Sequence, residues 1–146
     1  MGLFNPNAPL TADLNLLFQI FIFILLVGGI AIAKLRRKFS QHGAMMGVAA
    51  TFNTVSILIV MIPSLLGFRG LLSNPLSNPA LVVISHAIVG ILVEILGIWL
   101  VVTWAVNRRN LKACVRRKSA MRTTVVLWGI ELLLGLYTYI MLYLAI

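Results

Sequence analysis

The chain has 146 residues, of which 61% are apolar, and its mean hydropathy is +1.05. Soluble domains contain roughly 45–50% apolar residues, and a soluble domain of this size could not bury the excess. The composition therefore excludes a soluble globular protein and predicts one integral membrane domain that covers residues 1–146.

The formal net charge of +9 comes mainly from two clusters of basic residues that lie between apolar stretches. A nucleic-acid-binding surface usually adds exposed aromatic residues or a known motif, and we find neither in the sequence, so we predict no nucleic-acid partner. Basic residues in short loops are typical of the cytoplasmic side of a membrane. We expect these clusters to contact anionic lipid headgroups, and the predicted contacts are Lys34, Arg36, Arg37, Lys38, Arg108, Arg109, Arg116, Arg117 and Lys118.

In chain order, a short tail of residues 1–13 precedes four apolar spans. Each span is long enough for the roughly 20 helical residues that cross a bilayer, and open strands could not satisfy their backbone groups in lipid. We therefore predict an all-α integral membrane protein, a four-helix antiparallel bundle with both termini outside the cytoplasm. The predicted spans are Leu14–Ala33, His42–Leu66, Leu81–Val106 and Thr124–Ala145.

The predicted outer connection between spans two and three contains a tandem repeat, in which residues 72–75 and 76–79 both read LSNP. Asn-Pro and Ser-Asn steps favour turns. We predict two successive turns here rather than a helix.

Polar residues in the spans recur at helical spacing. In the stretch ISHAIVGILVEILGIWL, residues 84–100, His86, Gly90, Glu94 and Gly97 fall on one helical face. Glycines allow helices to approach closely, so this face should pack against protein. Spans two and four carry similar stripes, whereas span one offers only Gln19 and a Gly-Gly pair. The pattern predicts a polar seam between helices two, three and four that includes Asn53, His86, Glu94, Glu131 and Thr138.

Two roles stay open for Glu94 and Glu131. A carboxylate inside a membrane is costly and marks either an interhelical or intersubunit contact or a proton or ion pathway. His86 is expected to be a hydrogen-bonded structural histidine, with a metal-ligand or haem-ligand role as the alternative. His42 and His86 are predicted to lie nearly a membrane thickness apart, so they cannot be the two axial ligands of one haem. His86 and Asp13 would supply only two ligands to a metal. We predict no cofactor and keep copper and haem as alternatives.

Three short motifs point to a known family. HGAMM at residues 42–46 opens span two, ISH at residues 84–86 opens span three, and Trp128, Gly135 and Tyr139 follow in span four. In these residues the chain resembles the YozB-like four-helix membrane proteins of prokaryotes, a family of unknown function often associated with cytochrome oxidase assembly and copper handling. The resemblance implies a multi-pass protein of the prokaryotic cell membrane.

The chain departs from the family pattern at two places. Family members tend to carry a further histidine where this sequence reads MIPSLLG, and often another where it reads ACVRRKS. If the family's histidines bind metal, this chain has lost most of the set, which points to a packing role.

The sequence and the resemblance together predict a small accessory or structural subunit, or an assembly partner, of a larger membrane redox complex. A respiratory oxidase or a copper-dependent membrane monooxygenase would be the host, and membrane lipids and other subunits would be the partners. We expect no enzyme activity from the chain alone. The first alternative is a small proton, ion or solute transporter that uses Glu94 and Glu131, and the second is a metal or haem carrier centred on His86.

Overall fold

The computed structural model describes residues 2–4, 6–68, 70, 73–107 and 116–144, and these contain helices and no strand. The four long helices are α1 (Leu10–Leu35), α2 (Phe39–Gly67), α3 (Asn78–Val106) and α4 (Lys118–Leu144). Each helix is long and apolar enough to cross a membrane. The all-helical class with four candidate spans is therefore confirmed, and it indicates a multi-pass membrane protein.

All four helices begin before the apolar spans predicted from the sequence. α1 begins at Leu10, α2 at Phe39, α3 at Asn78 and α4 at Lys118. Helical hydrogen bonding continues into the polar flanks, because hydropathy marks the apolar part of a helix and not its capped end. The prediction of two turns at the LSNP repeat was partly wrong: residues 73–77 form turns and bends, but Asn78 already begins α3. Proline fits the first helical turn because its missing N–H has no helical partner there.

The helices pack in a ring. α1 contacts α2, α2 contacts α3, α3 contacts α4, and α4 contacts α1. We call the end of the bundle that carries Lys34–Lys38 and Arg116–Lys118 the basic end, and the opposite end, where α1 begins and α4 finishes, the terminal end. The half of the bundle next to the basic end is called the basic half, and the half next to the terminal end is called the terminal half.

The outer surface of the bundle is apolar on every helix. Ile24 of α1, Ile59 of α2, Ile95 of α3 and Leu133 of α4 are each 60% exposed or more. Exposed aliphatic side chains around a whole ring of helices form a surface suited to lipid. Along the spans, apolar side chains thus cover the outer surface of the bundle, and the buried polar side chains lie inside it.

In the basic half of the bundle, large side chains pack into the notches, or gaps, that glycines leave on the neighbouring helix. A Cβ atom at Gly43 of α2 would lie 1.9 Å from the ring of Trp104 on α3, and one at Gly29 of α1 would lie 2.4 Å from the end of Met46 on α2. Nδ1 of His42 donates a hydrogen bond of 2.9 Å to the Gly29 carbonyl. Large side chains therefore fill the space that the glycines leave, and the helices approach closely.

The centre of the bundle is an apolar cluster to which all four helices contribute, formed by Ile22, Leu26, Ala49, Val93 and Trp128. It lies about one helical turn closer to the basic end than Asn53 and Glu131. This cluster separates the packed basic half from the terminal half.

Two π-helical segments lie in the terminal half. Residues Ile57–Met61 of α2 and Ile140–Leu144 of α4 are π-helical. In α2 the N–H of Ile62 donates to the Ile57 carbonyl, five residues back, immediately before Pro63. The wider π turn lets α2 continue past the proline, and such turns occur frequently at functional sites.

Candidate functional site

A buried hydrogen-bond network joins α1 to α2. Nε2 of Gln19 donates to Oδ1 of Asn53 at 3.1 Å and to Oγ of Ser56 at 3.2 Å. Ser56 in turn donates to Oδ1 of Asn15. The polar seam was predicted between helices two, three and four, and α1 contributes two further amide side chains to it.

The sequence did contain a signal for this contribution. Asn15 and Gln19 are four residues apart, and the same face of α1 continues through Ile22 and Leu26, which are buried. Residues four apart share a helical face, so this spacing marks the inward face of α1.

Glu94 extends the network to α3. Nδ2 of Asn53 donates to one Glu94 carboxylate oxygen at 2.8 Å, and the hydroxyl of Thr54 donates to the other. Both carboxylate oxygens thus accept hydrogen bonds from α2. This geometry makes Glu94 a cross-link between α2 and α3, the first of the two roles considered for it.

Glu131 has a different environment. Its side chain is 2% exposed, and its Oε2 has no hydrogen-bond partner among the described residues. The carboxyl lies opposite Gly90 of α3, where an added Cβ atom would lie 3.7 Å from Oε1 of Glu131, an ordinary contact distance. A buried polar atom without a partner is rare in proteins and calls for an explanation.

His86 is held on the same interface, one turn closer to the terminal end. A Cβ atom at Gly135 of α4 would lie 3.1 Å from Cε1 of His86, so the imidazole rests in a notch left by that glycine. Nδ1 of His86 has no partner among the described residues. The predicted stripe of α3 therefore does face protein, and its glycines and large side chains interlock with those of α4.

A cavity of about 220 Å³ lies in the terminal half, and all four helices line it. Three buried side-chain atoms without partners belong to residues on its wall: Oε1 of Gln19, Nδ1 of His86 and Oε2 of Glu131. They come from α1, α3 and α4. The described residues that carry these unpartnered atoms thus line a single space.

The rest of the cavity wall is mainly apolar. Leu16, Val60, Leu132 and other aliphatic side chains line it, and parts of both π-helical segments contribute. No lysine or arginine lines it within the part of the chain that the structure describes. Apolar walls with a few convergent polar groups are typical of ligand-binding cavities.

Thr138, which was predicted in the polar seam, also lines the cavity. Its hydroxyl donates to the Leu134 carbonyl of its own helix at 2.8 Å. The bond satisfies the donor within α4 and leaves the hydroxyl oxygen free to accept. Of the predicted seam, then, His86, Glu131 and Thr138 meet at the cavity, while Asn53 and Glu94 belong to the network beside it.

Asp13 does not join His86. Its carboxylate is completely buried and accepts hydrogen bonds from the backbone N–H groups of Leu3 and Phe4, the latter at 3.1 Å, and from the hydroxyl of Tyr139. These bonds fasten the N-terminal segment and α4 to α1. Among the described residues, no three histidine, cysteine, aspartate or glutamate side chains come together as metal ligands.

The two histidines lie in different halves of the bundle. His42 contacts Gly29 near the basic end, whereas His86 contacts Gly135 in the terminal half. This placement agrees with the expectation that they are too far apart to share one haem.

The predicted headgroup contacts lie at the basic end where the structure describes them. Arg117 is half-buried, with its guanidinium carbon 5.8 Å from the ring centre of Trp99, close enough for a cation–π contact. Arg108 and Arg109 lie outside the described residues. The exposed members of the set are Lys34, Arg36, Arg37, Lys38, Arg116 and Lys118.

Comparisons with protein-family models, with curated proteins and with solved structures gave no match to this chain. The resemblance to YozB-like proteins stays a prediction that rests on the three motifs quoted above.

Proposed function

We propose that the protein binds a small solute inside the membrane, in the cavity between its four helices, and that Gln19, His86 and Glu131 hold the solute. The observation that carries this proposal is that the three described residues with an unpartnered buried side-chain atom line the same cavity. Leaving a buried polar group unpaired costs roughly 1–3 kcal/mol. A solute with complementary groups would recover that free energy.

This function is closest to the solute-transport alternative, which used both Glu94 and Glu131. It differs in giving the two carboxyl groups separate roles. Glu94 has hydrogen bonds on both oxygens and does not line the cavity, whereas Glu131 lines it with one oxygen unpartnered. We therefore assign solute binding to Glu131 and helix cross-linking to Glu94. The apolar cluster around Val93 and Trp128 fills the space toward the basic end, so the solute enters and leaves through the terminal half.

The experiment measures the binding of small probes to the purified protein in lipid nanodiscs by saturation-transfer NMR. The probes are phenol, hydroquinone, methylamine and N-methylacetamide, which differ in shape and in hydrogen-bond donors. We expect saturable binding of at least one probe and its loss in Ala87→Phe, because Ala87 lines the cavity. Ala105→Phe is the matched control, since Ala105 is an exposed alanine of the same helix.

The proposal fails if no probe binds saturably, or if Ala87→Phe binds as the wild type does. Circular dichroism and gel filtration of both variants establish that the bundle is intact.

The accessory-subunit function concerns the outer surface of the bundle and stays a prediction, as do the prokaryotic cell membrane and the outward termini. Native mass spectrometry of the protein extracted in mild detergent tests it, and we expect comigration with larger redox subunits if it holds.

A further inference from the structure

The size of the cavity limits the ligand to a small molecule. A cavity of about 150 Å³ with aliphatic and aromatic walls holds one benzene ring. The cavity here, at about 220 Å³, is larger, and three of the polar residues on its wall carry an unpartnered buried atom. It therefore fits one six-membered ring with a few polar substituents.

The unpartnered atoms of the lining residues favour hydrogen-bond donors on that ring. The unpartnered atoms of Gln19 and Glu131 are an amide oxygen and a carboxyl oxygen, and Nδ1 of His86 accepts in one of its neutral tautomers. No described lysine or arginine lines the cavity to bind an anion. A ligand with hydroxyl groups satisfies these atoms, and a purely apolar ligand leaves them unpaired at a cost.

The three residues lie on different helices, so they face the ligand from different sides. Gln19 lies on α1, His86 on α3 and Glu131 on α4. A ligand between them needs donors at more than one edge of its ring, with apolar faces to match the aliphatic walls. A ring with two hydroxyl groups at opposite edges meets both requirements.

We infer that the cavity binds a lipid-soluble hydroquinone, with one hydroxyl donating to the Glu131 carboxyl group and the opposite hydroxyl directed toward Gln19 and His86. The inference rests on the proposed solute-binding function and names its substrate class. A hydroquinone dissolves in the bilayer, so it reaches a membrane-embedded cavity without crossing an aqueous phase.

The test titrates 2,6-dimethylhydroquinone into the full chain in nanodiscs and follows binding by calorimetry. The matched ligand is 1,4-dimethoxybenzene, which has a similar ring and no donors. We expect the hydroquinone to bind at least tenfold more tightly than the dimethoxy compound, because only the hydroquinone has hydroxyl groups that can donate to unpartnered atoms of the cavity residues.

Protein variants locate the contact. We expect Glu131→Leu to weaken hydroquinone binding at least tenfold, Glu131→Gln to have an intermediate effect because it keeps one acceptor oxygen, and Glu94→Gln to bind as the wild type does. The Gln variant, which is nearly isosteric, keeps the test valid if the Leu variant does not fold.

Two results would overturn the inference: equal binding of the two ring compounds, or undiminished hydroquinone binding in both Glu131 variants. If methylamine or N-methylacetamide binds in the cavity and hydroquinone does not, the ligand class is wrong while solute binding stands. If none of the probes binds, the proposed function fails as well.

Discussion

The two halves of the bundle use glycine in the same way and differ in what fills the space it leaves. In the basic half, Trp104 fills the notch at Gly43 and Met46 fills the notch at Gly29. In the terminal half, the side chain in the notch of Gly135 is the ionisable residue His86, and a cavity lies beside it. Apolar side chains fill the basic half, whereas the terminal half contains unpaired polar atoms. We therefore assign stability to the basic half and binding to the terminal half.

The largest expected effect is in the basic half. Gly43→Ala places a Cβ atom against the Trp104 ring, and overpacking of this kind costs about 1–3 kcal/mol. We expect that loss in the free energy of unfolding, measured by titrating the detergent-solubilised protein with sodium dodecyl sulfate. Gly129→Ala, where the added Cβ atom would have no neighbour within 4 Å, is the control and should be unchanged or slightly more stable. Equal losses in the two variants would contradict the tight packing of this half.

The network at the border of the two halves should give the next largest effect. Asn53→Leu removes the acceptor for Gln19 and the amide donor to Glu94. Hydrogen bonds between membrane helices average about 0.6 kcal/mol each. The side chains of Gln19 and Glu94 would also be left without this partner, which adds to the loss of stability. We expect the unfolding free energy to fall by about 1–2 kcal/mol.

Thr51→Val is the matched control for Asn53→Leu, because Thr51 lies on the exposed side of α2 and bonds to the Gly47 carbonyl of its own helix. It should change the unfolding free energy by less than about 0.5 kcal/mol. An Asn53 variant as stable as the control would mean that the network does not hold the helices together.

The hydrogen bonds that attach the N-terminal segment provide a further test, at the terminal end of the bundle. Tyr139→Phe removes the hydroxyl that donates to the buried Asp13 carboxylate, which should cost about 1 kcal/mol. Because Leu3 and Phe4 donate to the same carboxylate, we also expect faster hydrogen exchange or proteolysis in the N-terminal segment. Tyr137→Phe, at a half-exposed tyrosine of α4, should leave both measurements unchanged, and a matching loss there would remove the specific role of Tyr139.

The smallest effect is expected at Thr138. Its hydroxyl donates within α4, so Thr138→Val should change the unfolding free energy by less than about 0.5 kcal/mol. A loss above about 1 kcal/mol would indicate that the hydroxyl also supports another helix.

The fold could be predicted to a large extent because membrane spans are encoded in long apolar runs, which composition reveals directly. The inward face of α3 was also predictable, since His86, Gly90, Glu94 and Gly97 repeat at helical spacing. The helix starts were not, because Lys118 and Asn78 are polar residues that continue or begin a helix through backbone hydrogen bonds alone.

The site was only partly predictable. Glu94 and Glu131 look equivalent in the sequence, as carboxylates on two glycine-containing stripes. Their difference depends on which neighbour each one meets: Asn53 and Thr54 donate to Glu94, whereas Glu131 lies opposite Gly90. Tertiary packing decides these neighbours. The π-helical segments that border the cavity had no sequence signal apart from Pro63, which follows the first of them.

The most direct test of the account is the free energy of unfolding of Glu131→Leu in the absence of any ligand. Truncating a residue that only stabilises the bundle lowers the free energy of unfolding, whereas a buried carboxyl group with an unpaired oxygen is itself destabilising. We therefore predict that Glu131→Leu is more stable than the wild type by about 1 kcal/mol or more, together with its loss of solute binding. A variant that is less stable than the wild type would show that Glu131 holds the helices together, and it would contradict the assignment of the terminal half to binding.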